Sequence, residues 1–377
     1  LQGDWSSDVC SSDLWTPAAA GKRLAEQASE AVLPVARAVL LRVDSALEPP
    51  PPGYGADRLL DLPDLSTSPS AEEATAFLRQ LRGWLSGEAP PEPAEAPLTA
   101  APSEIDRLLA ELHDPQTPPP RRLEIGDRLA AIGDPRRGVG LDARGLPDID
   151  WVAIPGGEFI YQQGERRSLP SFHMARYPVT NAQYQAFIDA GGYRDERWWQ
   201  DLKRPEPEPP RWLQANRPRT NVDWDEAVAF TRWLSKQLGY EVRLPNELEW
   251  ERAARGRDGR EYPWGNGYQS GRANHDEKWS QAGEWYLQQT TAVGMYPQGA
   301  VSEGVLDLAG NIWEWCLNQY DRSEQTEAET SGRRRELRGG SWNNPTVRAH
   351  GSRRFSLDPN FRDGNCGFRL VSSAPIR

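Results

Sequence analysis

The sequence predicts an α+β fold for residues 150–377, with two helices packed on a small antiparallel sheet and long loops between short strands. Three observations lead to this prediction. Short β-rich runs flank a Pro-Gly-Gly turn at 155–157, two amphipathic stretches with helix-capping residues follow, and beyond Gly239 only short strands and loops are indicated. Thirteen of the 16 tryptophans lie beyond residue 150. Tryptophan suits a loop-rich domain because it buries a large area while its N–H holds a neighbouring loop.

The chain before this domain is predicted to hold short helical segments and linkers. Residues 1–17 begin with leucine, repeat the letters SSD and resemble a translated adapter, so we interpret them as an artefact or a disordered segment without function. Residues 18–86 are predicted to be a helical N-terminal region, in which Ser70 and Glu73 make a capping box. Residues 87–102 are rich in proline, alanine and glutamate, which is typical of an extended linker.

Residues 103–149 are predicted to be a short spacer that resembles one unit of a helical repeat. Two short helices are indicated, at about 104–113 and about 120–131. The second helix ends at Gly133-Asp134-Pro135, which stops a helix.

Composition and charge limit the partners and the cellular location that we expect for this protein. The net charge of −11 argues against nucleic acid or an acidic membrane as a partner. The short basic cluster Arg333, Arg334, Arg335 and Arg338 is interpreted as a solvated loop before a strand. No apolar run is long enough to span a membrane, and the three cysteines are far apart, so we expect no disulfide framework and a cytoplasmic location.

The two helices of the domain have clear starting signals. Thr180 with Gln183 forms a capping box ahead of one helix, and Asp223 caps the other. Further along the chain, Arg243, Glu247 and Glu249 are candidates for buried, charge-assisted hydrogen bonds.

Eight strings occur in an order that resembles the formylglycine-generating-enzyme (sulfatase-modifying factor) family, whose fold is a variant of the C-type lectin fold. They are WVAIPGGEF at 151–159, HMARYPVTNAQYQAFIDAGGY at 173–193, VDWDEAVAFTRWLS at 222–235, RLPNELEWERAARG at 243–256, YPWGN at 262–266, GVLDLAGNIWEW at 304–315, LRGGSW at 337–342 and GFRLV at 367–371. The resemblance spans about 220 residues and implies a C-type-lectin-like domain over 150–377.

The catalytic cysteines that the resemblance implies are missing. Aligned from the GGSW string, the first falls on Asn344 and the second near Ala349, and no cysteine lies between Cys316 and Cys366. Without paired thiolates the family's copper and sulfur chemistry has no ligands. We therefore expect no catalytic residues and a protein that is not an enzyme, with Cys316 as a small buried hydrophobe.

Two metal sites known in this family were also considered. The iron-dependent sulfoxide synthases that the chain resembles use three histidines, but His113, His173, His275 and His350 lack ligand spacing and are interpreted as surface or locally bonded residues. The resemblance also implies structural calcium, bound by Asn311, the Ile312 carbonyl and Glu314. The alternative is that Asn311 and Glu314 hydrogen-bond loop backbone.

The segment 343–366 is similar to the variable region of proteins diversified by retroelements, in which adenine replacement produces NNC codons. Such codons never encode Lys, Glu, Gln, Met or Trp. Those five types make up 70 of the 377 residues, yet none occurs among the 24 positions from 343 to 366. At that frequency the gap has a chance of roughly one in a hundred.

A few fixed positions are expected in and directly after this segment, with variable positions between and around them. The string P-x-x-R-x-x-x-x-GFR supplies the fixed residues Pro359, Arg362 and Gly367-Phe368-Arg369. The residues predicted to contact a ligand are Asn344, Val347, His350, Ser352, Phe355, Ser356, Phe361, Asp363, Gly364, Asn365 and Cys366. Exposed aromatic side chains among Ser, Asn and Gly are typical of a paratope; alternatively, both phenylalanines belong to the core.

We therefore predict a non-catalytic protein that displays a diversified surface on a C-type lectin scaffold and binds a protein ligand. One alternative is a catalytic or cofactor-binding member of the same family with a different reaction. Another is a sensor or adaptor module of a bacterial conflict system, which the helical segments ahead of the domain favour by analogy.

Overall fold

The computed structural model describes residues 102–373, which lie in the second of the two units into which the chain divides, 99–377. The predictions for residues 1–17 and 18–86, including the capping box of Ser70, lie outside the described residues, as does nearly all of the predicted linker 87–102.

The second unit combines short helices with short strands. The helices are α1 (Glu104–His113), α2 (Pro119–Ile132), α3 (Asn181–Asp189), α4 (Trp224–Leu238), α5 (Glu247–Arg255) and α6 (Glu277–Ser280). The strands are β1 (Trp151–Ile154), β2 (Gly157–Tyr161), β3 (Glu165–Leu169), β4 (Phe172–Ala175), β5 (Trp313–Gln319), β6 (Arg335–Arg338), β7 (Phe355–Leu357), β8 (Cys366–Gly367) and β9 (Val371–Ser372). Short 3₁₀ helices occur at Glu196–Trp199, Pro297–Gly299 and Thr346–Ala349. This is an α+β fold, as predicted.

Three small sheets replace the single sheet that was expected. One has the order β1-β4-β9, a second is the β2-β3 hairpin, and the third has the order β7-β6-β5-β8. All pairings within them are antiparallel except that of β5 with β8. β5 and β6 lie in the middle of the largest sheet and are buried along their whole length. These two strands therefore form the rigid base of the segment that follows β6.

The local caps formed as predicted, and two helices, α5 and the four-residue α6, were missed. Thr180 and Asp223 each accept the backbone N–H of the third helical residue and complete a capping box. The longer of these is α5, which Asn246 caps through the same box with Glu249. Its sequence held this signal, since an Asn followed three residues later by Glu marks a helix start.

The α1–α2 pair packs onto the domain rather than standing apart from it. Leu112 and Leu129 share a buried cluster with Met295. The fully buried Arg122 donates to the Met295 carbonyl at 3.0 Å. Asn216 donates to the Gly126 carbonyl at 2.9 Å. These contacts make the predicted spacer part of the same compact unit.

Part of the predicted basic loop is buried. Arg335 and Arg338 lie in β6 and have no solvent exposure, so their interpretation as solvated residues was wrong, whereas Arg333 is exposed. The Arg335 guanidinium lies over the Trp224 ring, 3.9 Å from its centroid, and Arg338 pairs with buried glutamates. Within residues 102–373 no helix has both the length and the apolar character needed to cross a membrane.

Candidate functional site

The segment 343–366 supplies β7 and the first residue of β8, at the two edges of the largest sheet, and is fixed by the residues predicted to be constant. The Pro359 carbonyl accepts the backbone N–H of Trp224 at 2.9 Å. Arg362 pairs with Glu226 at 2.9 Å, next to Asp223 at 3.5 Å. Immediately after the segment, Arg369 pairs with Glu314 at 2.6 Å.

The anchor at Arg362 lies over the capped start of α4. Burial, together with the neighbouring Glu226 charge, raises the pKa of Asp223 to about 7. Burial also raises the pKa of Glu226. The Arg362 cation opposes both effects by favouring the carboxylate forms. Arg362 therefore holds the segment by satisfying two carboxyl groups that would otherwise be buried without a cation.

A polar network forms where the resemblance places the first catalytic cysteine. Ser341 Oγ lies 2.8 Å from Oδ1 of both Asn343 and Asn344. The Asn365 amide donates to Asn343 Oδ1 at 3.1 Å, which joins the two ends of the segment. Ala349, the second position, is fully buried.

His275 lies against the turn that begins this network, so the interpretation of this histidine as a surface residue was wrong. The ring is 1% exposed and lies against Gly310 and Gly340, where a Cβ atom would come within about 3 Å of ring atoms. Burial lowers the pKa of His275 to about 4, so the ring is neutral near pH 7. It fills the space beneath the turn that begins the segment.

The predicted contact residues differ in exposure. Exposed residues are Val347, Phe361 and Asp363; half-buried residues are Asn344, His350, Ser352, Phe355, Ser356 and Asn365; buried residues are Gly364 and Cys366. Val347 is 62% exposed and Phe361 is 38% exposed, whereas Phe355 stacks on Trp313 with ring centroids 5.1 Å apart. Phe361 is thus available to a ligand, while Phe355 belongs partly to the core and Cys366 pairs inside the sheet.

The segment borders two faces of the domain, an aromatic face and a cleft. On one face, Trp342 packs edge-on against Trp212 and parallel to Tyr286, and Arg211 lies between Trp212 and the backbone of Gly364. The second face is an open cleft of about 550 Å³. The segment contributes Val347, His350, Ser352, Arg353 and Arg354 to this cleft, and Gln162, Gln163 and Tyr320 close it.

Five of the cleft residues were not among the predicted contacts. Gln162 and Gln163 belong to the β2–β3 turn, and Gln162 donates to the Ser352 carbonyl at 3.0 Å across 190 residues of sequence. No local signal relates these positions. By contrast, Arg353 and Arg354 directly follow Ser352, so a search of the segment for charged residues could have found them.

Charged residues buried behind the cleft fix Arg354. Its Nε lies 2.7 Å from Glu247 and its Nη2 lies 3.2 Å from Glu336. Arg338 contacts the same two glutamates and Glu251. Burial raises the pKa of Glu336 to about 8, and the Glu247 charge contributes. The prediction that Arg243 and Glu249 form a buried pair is confirmed at 2.7 Å.

The residues implied for calcium do not fit that ion. Both Glu314 oxygens are occupied by Arg369, at 2.6 and 2.7 Å, and the Trp250 indole donates to one of them. Asn311 Oδ1 accepts from the backbone N–H of Thr291 at 2.9 Å. A carboxylate held by a guanidinium fork supplies no free ligand to a cation. The calcium prediction for Asn311, Ile312 and Glu314 is therefore replaced by the alternative of local hydrogen bonding. No group of three or more His, Cys, Asp or Glu side chains between residues 102 and 373 is arranged to hold a metal.

Residues 142–374 match the family model described as the sulfatase-modifying factor enzyme 1-like domain. The match covers more than half of the chain, so the protein belongs to this family and its domain has the C-type-lectin-like fold of the formylglycine-generating-enzyme type.

Relatives of this chain carry the names of enzymes. The chain is 34% identical over 212 residues to a hercynine oxygenase of Mycolicibacterium thermoresistibile, covering 46% of this chain and 44% of that protein. It is 27% identical to the formylglycine-generating enzyme of Streptomyces coelicolor, covering 60% of this chain and 90% of that protein. A solved structure, Treponema denticola variable protein 1, aligns with a TM-score of 0.45 and 21% identity over 59% of this chain and 95% of that one. The chain thus spans less than half the length of the hercynine oxygenase.

The prediction that this protein is not an enzyme is corrected by these relatives. It rested on the missing cysteine pair, but relatives named as enzymes align with 46% and 60% of this chain. Loss of one pair of residues removes one mechanism and does not by itself exclude an enzyme.

Proposed function

We propose that residues 343–366 form the ligand-binding surface of this domain, with side chains diversified on a fixed scaffold, and that the ligand is a protein segment. The proposal rests on one observation: some residues of the segment face the core, whereas others are exposed to solvent. Pro359 and Arg362 face inward onto α4, whereas Val347, Phe361 and Asp363 are exposed. A rigid base with exposed aromatic and polar groups is the arrangement that binding loops need.

The aromatic face supports the same proposal. Trp342 is 6% exposed and supports the half-buried Tyr286 ring, with ring planes 13° apart and centroids 6.4 Å apart. Arg211 lies 5.7 Å from the Trp342 ring centroid. Exposed residues nearby in sequence include Leu213 and Trp279, with exposures of 75% and 66%. Trp, Tyr and Arg are the residue types that contribute most to binding at protein interfaces.

Tolerance to substitution tests whether exposed positions of the segment are free to vary. We expect Val347→Ser, Asn360→Ser and Asp363→Ser each to change the free energy of unfolding by less than about 0.5 kcal/mol, because these side chains are exposed and the Asp363 carboxylate accepts a hydrogen bond only from the adjacent Gly364 N–H. Arg362→Met is expected to cost about 3 kcal/mol, since it leaves Asp223 and Glu226 without their cation. Urea denaturation measures both. A loss at the first three positions as large as that at Arg362 would show that the segment is structural.

The DNA sequence of the 3′ end of the gene tests diversification itself. The proposal expects NNC codons at His350, Ser352 and Phe361 and an adenine-rich near-copy close to a reverse transcriptase gene. Ordinary codons without such a copy would contradict diversification and leave the binding surface to be judged by its ligands.

Catalysis in the same cleft is a second candidate, favoured by the enzyme names of the relatives and by one contact. Ser352 Oγ lies 2.8 Å from His350 Nδ1, and partial burial lowers the pKa of His350. A neutral imidazole hydrogen-bonded to a hydroxyl can accept its proton.

A fluorophosphonate probe tests this candidate directly. If the pair is activated, the probe labels Ser352, labelling disappears in Ser352→Ala, and it falls at least about tenfold in His350→Gln. Ser356→Ala serves as the control, since it removes a nearby hydroxyl that no histidine contacts. Labelling no stronger than in Ser352→Ala would exclude an activated serine here.

A further inference from the structure

The cleft that Arg353 lines contains side-chain N–H groups that have no hydrogen-bond partner among the described residues. Arg353 is exposed, and its side chain forms no ion pair or hydrogen bond to any residue between 102 and 373. Arg348 is close enough for the Arg353 charge to lower its pKa, after the larger effect of partial burial. The Arg353 guanidinium, which lines the cleft, therefore creates a positive potential there, on a chain whose net charge is −11.

His350 adds a donor of fixed position. The backbone N–H of Ser352 donates to His350 Nδ1 at 3.3 Å, so Nδ1 is an acceptor and the proton of the neutral ring lies on Nε2. Tyr262 packs against the ring, with centroids 5.6 Å apart, and fixes its plane. The Nε2–H group has no partner among the described residues and remains available.

Arg354 also lines the cleft, and its positive charge is neutralised by two buried glutamates. Glu247 and Glu336 hold its Nε and Nη2 atoms, and its guanidinium lies 4.2 Å from the Tyr320 ring centroid. Its Nη1 atom forms no hydrogen bond within residues 102–373. Tyr320 and Val347, with exposures of 40% and 62%, give the same cleft apolar walls.

We propose that this cleft binds a carboxylate of an acidic peptide segment, held by Arg353, the Nε2–H group of His350 and the free Nη1 of Arg354. This inference rests on the proposed function and names the ligand chemistry of that surface. One unpaired arginine at the site, with neutral donors around it, matches a group of charge −1 better than a phosphate of charge near −2. The apolar walls match the chain that carries the carboxylate.

A random dodecapeptide library displayed on phage and selected on the purified protein tests the proposal. We expect the selected peptides to be enriched in Asp and Glu. A fluorescein-labelled synthetic copy should lose affinity by at least about tenfold when its acidic residue is changed to the amide, and by a similar factor in Arg353→Ala. Binding should weaken as salt is raised from ~50 to ~300 mM. Arg197→Ala is the matched control, since it removes the same charge from the exposed pair with Asp195 and should leave the affinity unchanged.

The outcomes distinguish failure of the carboxylate inference from failure of the proposed binding surface. Neutral peptides that lose affinity in Val347→Asp but not in Arg353→Ala would support the binding surface and overturn the carboxylate inference. Peptides insensitive to every change in the segment would overturn both. Failure to select any peptide above background would overturn the peptide ligand proposed here.

Discussion

Replacing Arg369 with methionine is expected to destabilise the domain by about 3–5 kcal/mol, which would be a large part of its total stability. Arg369 and Glu314 are both fully buried and meet in a two-point contact at 2.6 and 2.7 Å. Arg369 also donates to the carbonyls of Ala175 and Leu306, at 3.1 and 2.9 Å. Methionine fills a similar volume but leaves a carboxylate and two carbonyls unsatisfied in the core.

Urea denaturation at neutral pH measures this loss, and two further variants identify its cause. Arg333→Met removes an arginine from an exposed pair with Asp321, whose side chains are both 60% exposed, and should change stability by less than about 0.5 kcal/mol. The double variant Arg369→Met/Glu314→Gln should regain part of the loss, because the uncompensated charge is gone while the Trp250 indole keeps an acceptor. If Arg369→Met costs no more than Arg333→Met, the pair does not fix β5 to the end of the segment.

Features that depend on near neighbours in sequence could be predicted. Thr180 and Asp223 cap their helices through residues three positions away, and Arg243 pairs with Glu249 six positions away. The position of Arg362 was predicted as fixed, but only its contact with Glu226 explains why. The starts of α3 and α4 and one buried ion pair could thus be predicted from neighbouring residues. The contacts that explain the fixed residues are visible only in the tertiary structure.

Features made by distant segments could not be predicted. The cleft depends on Gln162 meeting Ser352, and nothing in either neighbourhood indicates the other. The run of arginines before and in β6 resembled a solvated loop because such runs usually are exposed. Arg335 and Arg338 are buried instead, since Trp224 and the glutamates of α5 lie opposite them.

Those glutamates lead to the second prediction of large effect: Arg338→Met should destabilise the domain by about 3–5 kcal/mol at pH 8. Arg338 is fully buried, lies over the Trp250 ring and contacts Glu247, Glu251 and Glu336. Without it, three carboxyl groups share only the cations of Arg354 and Arg255.

The loss in Arg338→Met should shrink as the pH falls from 8 towards 5. The pKa of Glu336 is raised by burial to about 8 in the folded protein, from an ordinary value of 4.5. A carboxyl group with a raised pKa contributes stability that is complete below about 4.5 and is lost as the pH rises through about 8. Removing the Arg338 cation raises the folded pKa values further, so protonation at low pH relieves more of the damage in the variant than in the native protein.

Thermal or urea unfolding between pH 5 and 8 measures this effect, with Glu336→Gln as the matched variant. Glutamine keeps the size and hydrogen-bonding capacity of the side chain but does not titrate, so its stability should vary less across this range than that of the native protein. Equal pH profiles for native protein and Glu336→Gln would show that Glu336 keeps its charge throughout. The loss in Arg338→Met would then be independent of pH, and Arg354 would be held behind the cleft by ion pairs alone.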